Sequence, residues 1–244
     1  MQTIVCRNVR ILAGNLSDLN MASYRYGIML CSETLVSDMC HVSELLVSGF
    51  CRPFLLGQDA SGPRDGGIRT RYGEFRQSKF ECGCCEMLAF MVCGARKNLH
   101  VFSLFRNPDL DNRIFDCLLT SVAAVQAEDV RASFLFVGDL NSHHQKWLGS
   151  TTTNRRGVAT LSGCNQFAVG PTHARGGTLD LMMTNVPDLV RDVVVAPIGN
   201  SDHSSLSVVI SMAQAVPNLC VGIKVLIRHQ VNWNTVWGVM QDLP

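Results

Sequence analysis

The feature that most limits how this chain can fold is a series of short apolar segments with the composition of β-strands. They are rich in β-branched, aromatic and other apolar residues, and turn-forming residues separate them. Two segments between them, 34–47 and 111–126, repeat apolar residues at helical spacing and are predicted helices. The strand-like segments are 3–6, 28–31, 87–93, 99–105, 133–137, 179–183, 193–196 and 206–210.

Strands and helices therefore mix without a regular βαβ alternation. Segments 87–93 and 99–105 are spaced as a hairpin, which favours antiparallel neighbours, and the whole pattern predicts two packed sheets with helices outside. Residues 57–73 are rich in Gly and poor in apolar residues, so we expect an exposed loop there. Residues 212–244 begin like a linker, and we interpret them as a C-terminal extension beyond a main domain formed by residues 1–211.

Composition excludes several classes of protein. The chain is 47% hydrophobic and carries a net charge of only +1, so it has a large core and no strong basic field for nucleic acid. No apolar run reaches the roughly 18 residues of a membrane span. Eleven scattered Cys and no signal peptide predict an intracellular protein with reduced thiols. Cys82, Cys84 and Cys85 lack the paired C-x2-C spacing of a zinc site, and buried thiols are the preferred interpretation.

Three polar clusters, at 138–141, 178–181 and 200–203, adjoin strand-like segments. Asp139 and Asn141 are two residues apart, so on an extended chain they project to the same side. A carboxylate there could take a proton from water, and an amide could hold a developing negative oxygen. Taken alone, Asp and Asn after a strand usually form a turn.

Asp180 stands among apolar residues, and a buried carboxylate is costly without a partner. His203, placed directly before a strand, could supply that partner. A carboxylate against one ring nitrogen would fix the imidazole tautomer and stabilise the imidazolium. A lone His is more often a surface or core residue, but three clusters at strand edges favour a common site.

Two further polar residues follow strand-like segments in the amino-terminal half. Asn8 comes after the first of these segments and Glu33 after the second. A hard cation such as Mg²⁺ prefers a few oxygen ligands and keeps several waters. Glu33, alone or with Asp202, could supply those oxygens, although a Glu at the start of a helix is the simpler interpretation of Glu33 taken alone.

With these pieces in order, the chain resembles the endonuclease/exonuclease/phosphatase superfamily. The closer resemblance is to the apurinic/apyrimidinic-like endonuclease domain of non-LTR (LINE-type) retrotransposons. It covers roughly residues 1–211 and implies an α/β fold, a four-layered αββα sandwich of the DNase I type. The segments that carry it are 8–10, 31–35, 103–108, 138–141, 171–173, 178–181 and 201–203.

The resemblance implies a role for each matching residue of the site. Glu33, alone or together with Asp202, would bind Mg²⁺ or Mn²⁺. Asp139 would orient and deprotonate the attacking water. His203, oriented by Asp180, would bind the scissile phosphate and stabilise its transition-state charge.

Further contacts are implied in the same way. Asn8 and Asn141 would hold the surroundings of the phosphate or the metal. The residues implied to bind substrate are Phe105, Arg106, Asn107, Thr172, His173 and Asn200. Phe105 stands where the family usually has Tyr, which removes one hydrogen bond to phosphate.

The activity implied is nicking of DNA by phosphodiester hydrolysis, which leaves a 3′-hydroxyl that primes reverse transcription. DNA and a downstream reverse transcriptase domain are the expected partners, no membrane is expected, and the nucleus with the cytoplasm is the expected location. Segments 57–73 and 157–171 look shorter than usual, as in a decaying copy of a mobile element. An inactive remnant that acts at most as a binding module, and a phosphatase of the same superfamily, remain the alternatives.

Overall fold

The computed structural model describes residues 2–8, 27–32, 54–55, 67–70, 74–77, 80, 86–95, 97–106, 113–141, 163–197 and 201–212. Within these ranges the chain forms twelve strands and one α-helix. The strands are β1 (Gln2–Asn8), β2 (Ile28–Ser32), β3 (Phe54–Leu55), β4 (Gly67–Thr70), β5 (Glu74–Arg76), β6 (Glu86–Val92), β7 (Leu99–Phe105), β8 (Ser133–Asp139), β9 (Asn165–Gln166), β10 (Asp180–Thr184), β11 (Val190–Pro197) and β12 (Ser204–Ile210). The helix α1 (Arg113–Glu128) lies between β7 and β8, and a 3-10 turn, Pro187–Leu189, precedes β11.

The strands form two six-stranded sheets of the same plan. The first has the order β11-β12-β1-β2-β4-β3, and the second has the order β5-β6-β7-β8-β10-β9. Each sheet contains one parallel pair at its centre, β1 with β2 and β7 with β8, and every other described pair is antiparallel. The predicted hairpin is confirmed, because β6 and β7 pair antiparallel from Met87 opposite Leu104 to Val92 opposite Leu99.

The main core lies between the two sheets. Alternate residues of the first sheet, such as Ile4 and Cys6 of β1, pack against alternate residues of the second, such as Leu135 and Val137 of β8. The even-numbered neighbours in β8 point the other way, into a second core beneath α1. Because β7 and β8 are buried on both faces, most of their residues are apolar.

The second core packs α1 onto the outer face of the second sheet. Ile114, Phe115 and Leu118 of the helix are buried against residues that include Phe102 and Phe136. The Phe102 and Phe136 rings stack with centroids 5.5 Å apart. Helix, second sheet and first sheet are thus three successive layers, which confirms the predicted α/β sandwich. The predicted helix at 34–47, which would supply the fourth layer, lies outside the described residues.

The predicted loop at 57–73 is wrong in part, since β4 forms inside it. Ile68 lies opposite Leu30 of β2 on one side and Phe54 of β3 on the other. A strand between two partners is held by main-chain hydrogen bonds, so a segment with little apolar character can adopt it. The segment 157–171, which looked too short for a strand, still contributes the two residues of β9.

Several predicted features lie outside the residues that the structure describes. The cysteines at 82, 84 and 85 and the extension from 213 onward lie outside the described residues. The described core runs as far as Met212, which packs into the cluster between the sheets. Among the helices that the structure describes, none combines the length and the apolar character needed to cross a bilayer.

Candidate active site

Gly138 determines how β8 ends and where Asp139 sits. Its φ is 140°, in the region that favours glycine, and a Cβ built on it would lie 1.9 Å from the carbonyl oxygen of Leu104. Leu104 is the residue opposite Gly138 in the parallel β7–β8 ladder. Only a residue without a side chain lets the two strands approach this closely. The glycine therefore lets the ladder continue to Phe105 and Asp139, which pair at its end.

Asn141 ties the end of β8 to the residue that follows β7. It adopts a φ of 42°, which Asn tolerates, and its N–H donates to Asp139 Oδ1 at 3.0 Å. Its side-chain Nδ2 donates to the carbonyl of Arg106 at 2.9 Å, and Arg106 Nη1 donates back to the carbonyl of Asn141 at 2.9 Å. The main-chain N–H of Arg106 also donates to the carbonyl of Asp139 at 2.8 Å. This reciprocal set fixes the Asp139 backbone and one carboxylate oxygen.

Asp180 enters the same site from the neighbouring strand. It begins β10 and lies directly opposite Asp139 in the antiparallel ladder. The hydroxyl of the fully buried Thr172 accepts the N–H groups of Leu179 and Asp180, at 2.9 and 3.0 Å. Thr172, which the resemblance suggested as a substrate contact, is therefore turned inward and holds the start of β10 in place.

His203 arrives from the other sheet, one residue before β12. Its Nδ1 lies 2.9 Å from Asp180 Oδ2, and its Nε2 lies 3.9 Å from Asp139 Oδ2. An ionised carboxylate can only accept, so Nδ1 carries a proton and donates to Asp180. Asp139, Asp180 and His203 are 1%, 2% and 7% exposed. We call these three residues the buried trio; they are far apart in sequence, with Asp139 and Asp180 on the second sheet and His203 directly before a strand of the first.

The loop before β10 adds His173, and the segment before β12 adds Asp202. His173 forms an isolated antiparallel bridge with His203, and their rings meet at right angles with centroids 4.8 Å apart. His173 Nε2 lies 3.7 Å from Asp202 Oδ2. The N–H of Ala174 donates to the carbonyl of Asp202 at 2.7 Å, which ties the loop to the residue before His203.

Ser201 is a supporting residue that the sequence did not single out for the site. Its Oγ accepts the N–H of His203 at 3.1 Å, an interaction two residues along the chain that Ser makes commonly in turns. The signal available in the sequence was a Ser two positions before the candidate His. The contact helps to fix the backbone that carries the imidazole.

The structure does not place all the predicted site residues. It gives the backbone of Asn8 at the end of β1, paired with Ser32 at the end of β2, but not its side chain. Phe105 is half-buried at the end of β7, next to Asp139 in the ladder. Glu33, Asn107 and Asn200 lie outside the described residues.

The donor set suits a hard divalent cation. Ligand atoms of Asp139, Asp180 and His203 lie within 4.8 Å of one another, and so do those of His173, Asp202 and His203. Carboxylate oxygens dominate the first group, and Mg²⁺ and Mn²⁺ prefer oxygen. The imidazole of His203 belongs to both groups, so a cation and an anionic substrate could both be bound at this edge.

Comparisons with known proteins agree with this geometry. A search of curated proteins finds no match. Among solved structures, the endonuclease domain of TRAS1, a telomere-specific non-LTR retrotransposon, is similar with a TM-score of 0.69 at 18% identity, covering 87% of this chain and 99% of that one. An AP endonuclease from Archaeoglobus fulgidus has a TM-score of 0.60 at 14% identity, covering 87% of this chain and 100% of that one.

A third similar structure is a variant of the 3′ phosphatase NExo from Neisseria, bound to a product DNA hairpin. Its TM-score is 0.64 at 15% identity, and the match covers 86% of this chain and 99% of that one. At these identities the three likenesses establish the fold. Residues 30–203, which contain the whole buried trio, match the Endonuclease/Exonuclease/phosphatase family, and the chain belongs to that family.

Proposed function

We propose that this chain is a Mg²⁺-dependent endonuclease that nicks DNA and leaves a 3′-hydroxyl, and that it derives from a non-LTR retrotransposon. The observation that carries the proposal is the buried trio: two buried carboxylates on neighbouring strands with one imidazole between them. The trio supplies a proton acceptor and a cationic group for an anionic substrate, which is what hydrolysis of a phosphodiester requires.

His203 binds the scissile phosphate with the Nε2 side of its ring. Nδ1 is engaged with Asp180 at 2.9 Å, so the ring cannot turn without breaking a hydrogen bond between a charged acceptor and a buried donor. Asp180 thereby fixes the tautomer and stabilises the imidazolium that faces the phosphate. When the ring is protonated, its charge balances one of the two carboxylates, and the other can still accept a proton.

Asp139 is the general base in this proposal. Its Oδ1 accepts the N–H of Asn141, which fixes the plane of the carboxylate, and its Oδ2 lies toward His203 Nε2. A water molecule that loses its proton to Asp139 is therefore activated next to the ring that holds the phosphate. Asn141 is itself held by its two hydrogen bonds with Arg106, so its N–H keeps the Asp139 carboxylate from rotating during this step.

Asp202 and Glu33 would hold the cation, with Asn8 nearby in the site by resemblance. When bound, Mg²⁺ supplies positive charge that stabilises the negative oxygens of the transition state. Asp202 is the described residue of that pair, and its carboxylate oxygen lies within 4.8 Å of ligand atoms of His173 and His203; a carboxylate oxygen fits that ion. The protein side of the reaction, meaning the orientation of His203 and Asp139, is set by hydrogen bonds that the structure shows.

DNA is the proposed substrate because the structural neighbours process DNA. They are the endonuclease domain of a retrotransposon, an AP endonuclease and a 3′ phosphatase bound to a product DNA hairpin. The chain's net charge of +1 implies that its hold on DNA is local. A reverse transcriptase domain, encoded downstream in elements of this kind, would use the 3′-hydroxyl, and the nucleus is the proposed place of action.

The test is cleavage of supercoiled plasmid by purified protein. We expect nicked circles with Mg²⁺ or Mn²⁺ at low salt and intact plasmid in EDTA. Asp139→Ala and His203→Ala should each lower the rate at least ~100-fold, because general-base and electrostatic contributions are of that order. Val169→Ala, at an exposed position, is the matched control and should cleave like the unchanged protein. Plasmid that stays intact with either metal would favour the inactive remnant.

A phosphatase is the second candidate, favoured by the likeness to the Neisseria 3′ phosphatase. A nicked DNA duplex with a 3′-phosphate separates the two. Release of inorganic phosphate faster than strand cleavage would establish the phosphatase, and an unchanged 3′-phosphate alongside plasmid nicking would support the endonuclease. An inositol phosphate tested in parallel covers the lipid and sugar phosphates expected of other members of the superfamily.

A further inference from the structure

We infer that His173 is a positioning residue that holds the imidazole of His203 and the carboxylate of Asp202 in place, and that it neither contacts DNA nor binds a metal ion. The inference deepens the proposed function and rests on it for its kinetic test. It departs from the resemblance, which suggested a substrate contact at this position. The geometry that carries it is the pair of perpendicular rings, 4.8 Å apart, at the centre of the site.

The hydrogen bonds of His173 determine which ring nitrogen carries the proton. The N–H of Arg175 donates to His173 Nδ1 at 3.0 Å, so Nδ1 contributes its lone pair. A neutral imidazole has one donor and one acceptor nitrogen, which leaves the proton on Nε2. Nε2 is the atom that lies 3.7 Å from Asp202 Oδ2. The ring therefore presents an N–H to the carboxylate, and a small shift of the part-exposed Asp202 would complete a hydrogen bond.

The same protonation opposes metal binding by His173. The cluster of His173, Asp202 and His203 has the composition of a transition-metal site, with two imidazoles and one carboxylate. A metal needs the lone pair of the coordinating nitrogen, and on the Asp202 side of His173 that position carries a proton. Coordination would thus require the loss of the Arg175 hydrogen bond. The cluster is better suited to orient Asp202 than to hold an ion itself.

The backbone around His173 is rigid, as a positioning role requires. The N–H groups of Thr172 and His173 both donate to the carbonyl of Gly177 at 3.0 Å, and the carbonyl of His173 accepts the N–H of Gly176 at 2.9 Å. The N–H of Ser204 donates to the carbonyl of Thr172 at 2.7 Å. Main-chain hydrogen bonds on both sides of His173 therefore hold its backbone next to the segment that carries His203.

Two substitutions separate the two contacts of His173. His173→Phe keeps a flat ring against His203 but removes the N–H that faces Asp202. His173→Gln keeps a hydrogen-bonding group but removes the ring. Val169→Ala, an exposed change in the same region, is the control for general damage. A thermal melt of each variant establishes that the fold is retained.

The two variants should each change a different kinetic quantity. For His173→Phe we expect the Mg²⁺ concentration at half-maximal rate to rise about tenfold, the loss typical when an outer hydrogen bond to a metal ligand is removed. For His173→Gln we expect kcat at saturating Mg²⁺ to fall about tenfold, because the imidazole of His203 is less well oriented. KM for DNA should not change in either variant. A higher KM with kcat retained would mean that His173 contacts DNA and would overturn the inference.

Nitrogen-15 NMR of the metal-free protein tests the inference without activity. We expect the His173 ring to be the tautomer with its proton on Nε2, and the His203 resonances to shift in His173→Gln but not in His173→Phe. A proton on Nδ1 of His173, or His203 resonances that are the same in all variants, would refute the positioning role. Calorimetry with Zn²⁺ alone should show no tight site that depends on His173, and such a site would refute it too. Should the protein fail to cut DNA, the proposed function fails while these measurements still decide the role of His173.

Discussion

The contact between Thr172 and the start of β10 predicts a large loss of stability from a small change. Thr172→Val keeps the shape of the side chain and removes the hydroxyl oxygen that accepts the N–H groups of Leu179 and Asp180. Thr172 is fully buried, so water cannot easily replace that oxygen. An unsatisfied buried donor costs about 1–3 kcal/mol in the free energy of unfolding, which is the loss expected from the buried Asp180 N–H; the Leu179 N–H is only partly buried and adds less. A typical domain has only about 5–15 kcal/mol in all.

Urea unfolding followed by circular dichroism measures that loss. Thr172→Ser, which keeps the oxygen, should lose far less than Thr172→Val. Thr178→Val is the matched control, because the Thr178 hydroxyl donates only one hydrogen bond, to the carbonyl of Gly170 at 2.7 Å in an exposed setting. We expect it to cost about 1 kcal/mol or less. The reasoning would be refuted if the Val variants at 172 and 178 were equally stable.

Two further predictions concern single residues of the second sheet and its edge. Gly138→Ala should lower the free energy of unfolding by about 3–5 kcal/mol, since its Cβ would meet the Leu104 carbonyl oxygen at 1.9 Å. The control is Gly163→Ala, which has a φ of 88° and nothing within 4 Å of the new Cβ, and it should cost about 1 kcal/mol. Equal costs for the two variants in chemical denaturation would contradict the argument. Burial raises the pKa of the Cys164 thiol to about 11 from 9.0. Because the thiolate is the reactive form and the native pKa is the higher one, iodoacetamide at pH 8 should alkylate Cys164 about 100-fold more slowly in the native protein than in urea. Mass spectrometry of the Cys164 peptide reads this directly, and equal rates would show that the thiol is not shielded.

The central strands could be predicted from the sequence because strands that are buried on both faces are rich in apolar residues. Segment 99–105 coincides with β7, which is buried on both faces and therefore mostly apolar. The sequence of β4 (Gly67–Thr70) is not rich in apolar residues. This strand is placed by its main-chain pairing with β2 and β3 rather than by its side chains. Short strands between two partners are therefore the elements that local patterns miss.

The part of the candidate site that depends only on residue types could be predicted from the sequence. A carboxylate among apolar residues, Asp180, required a partner, and His203 stands at 2.9 Å from it. The supporting contacts were not predictable, because they depend on which strands become neighbours. The inward turn of Thr172 and the approach of Gly138 to Leu104 follow from the strand pairing, and no local pattern distinguishes these two residues from others of their type.

The central claim is that Asp180 and His203 act as one unit in cleavage. The most direct test is the single-turnover rate of plasmid nicking by Asp180→Asn, His203→Ala and the double variant, each at saturating Mg²⁺. If the two residues act only through each other, removing either one already removes their shared contribution to the rate. The double variant should therefore be about as slow as His203→Ala alone. If instead the two single losses multiply in the double variant, the two residues act independently and the account of the site is contradicted.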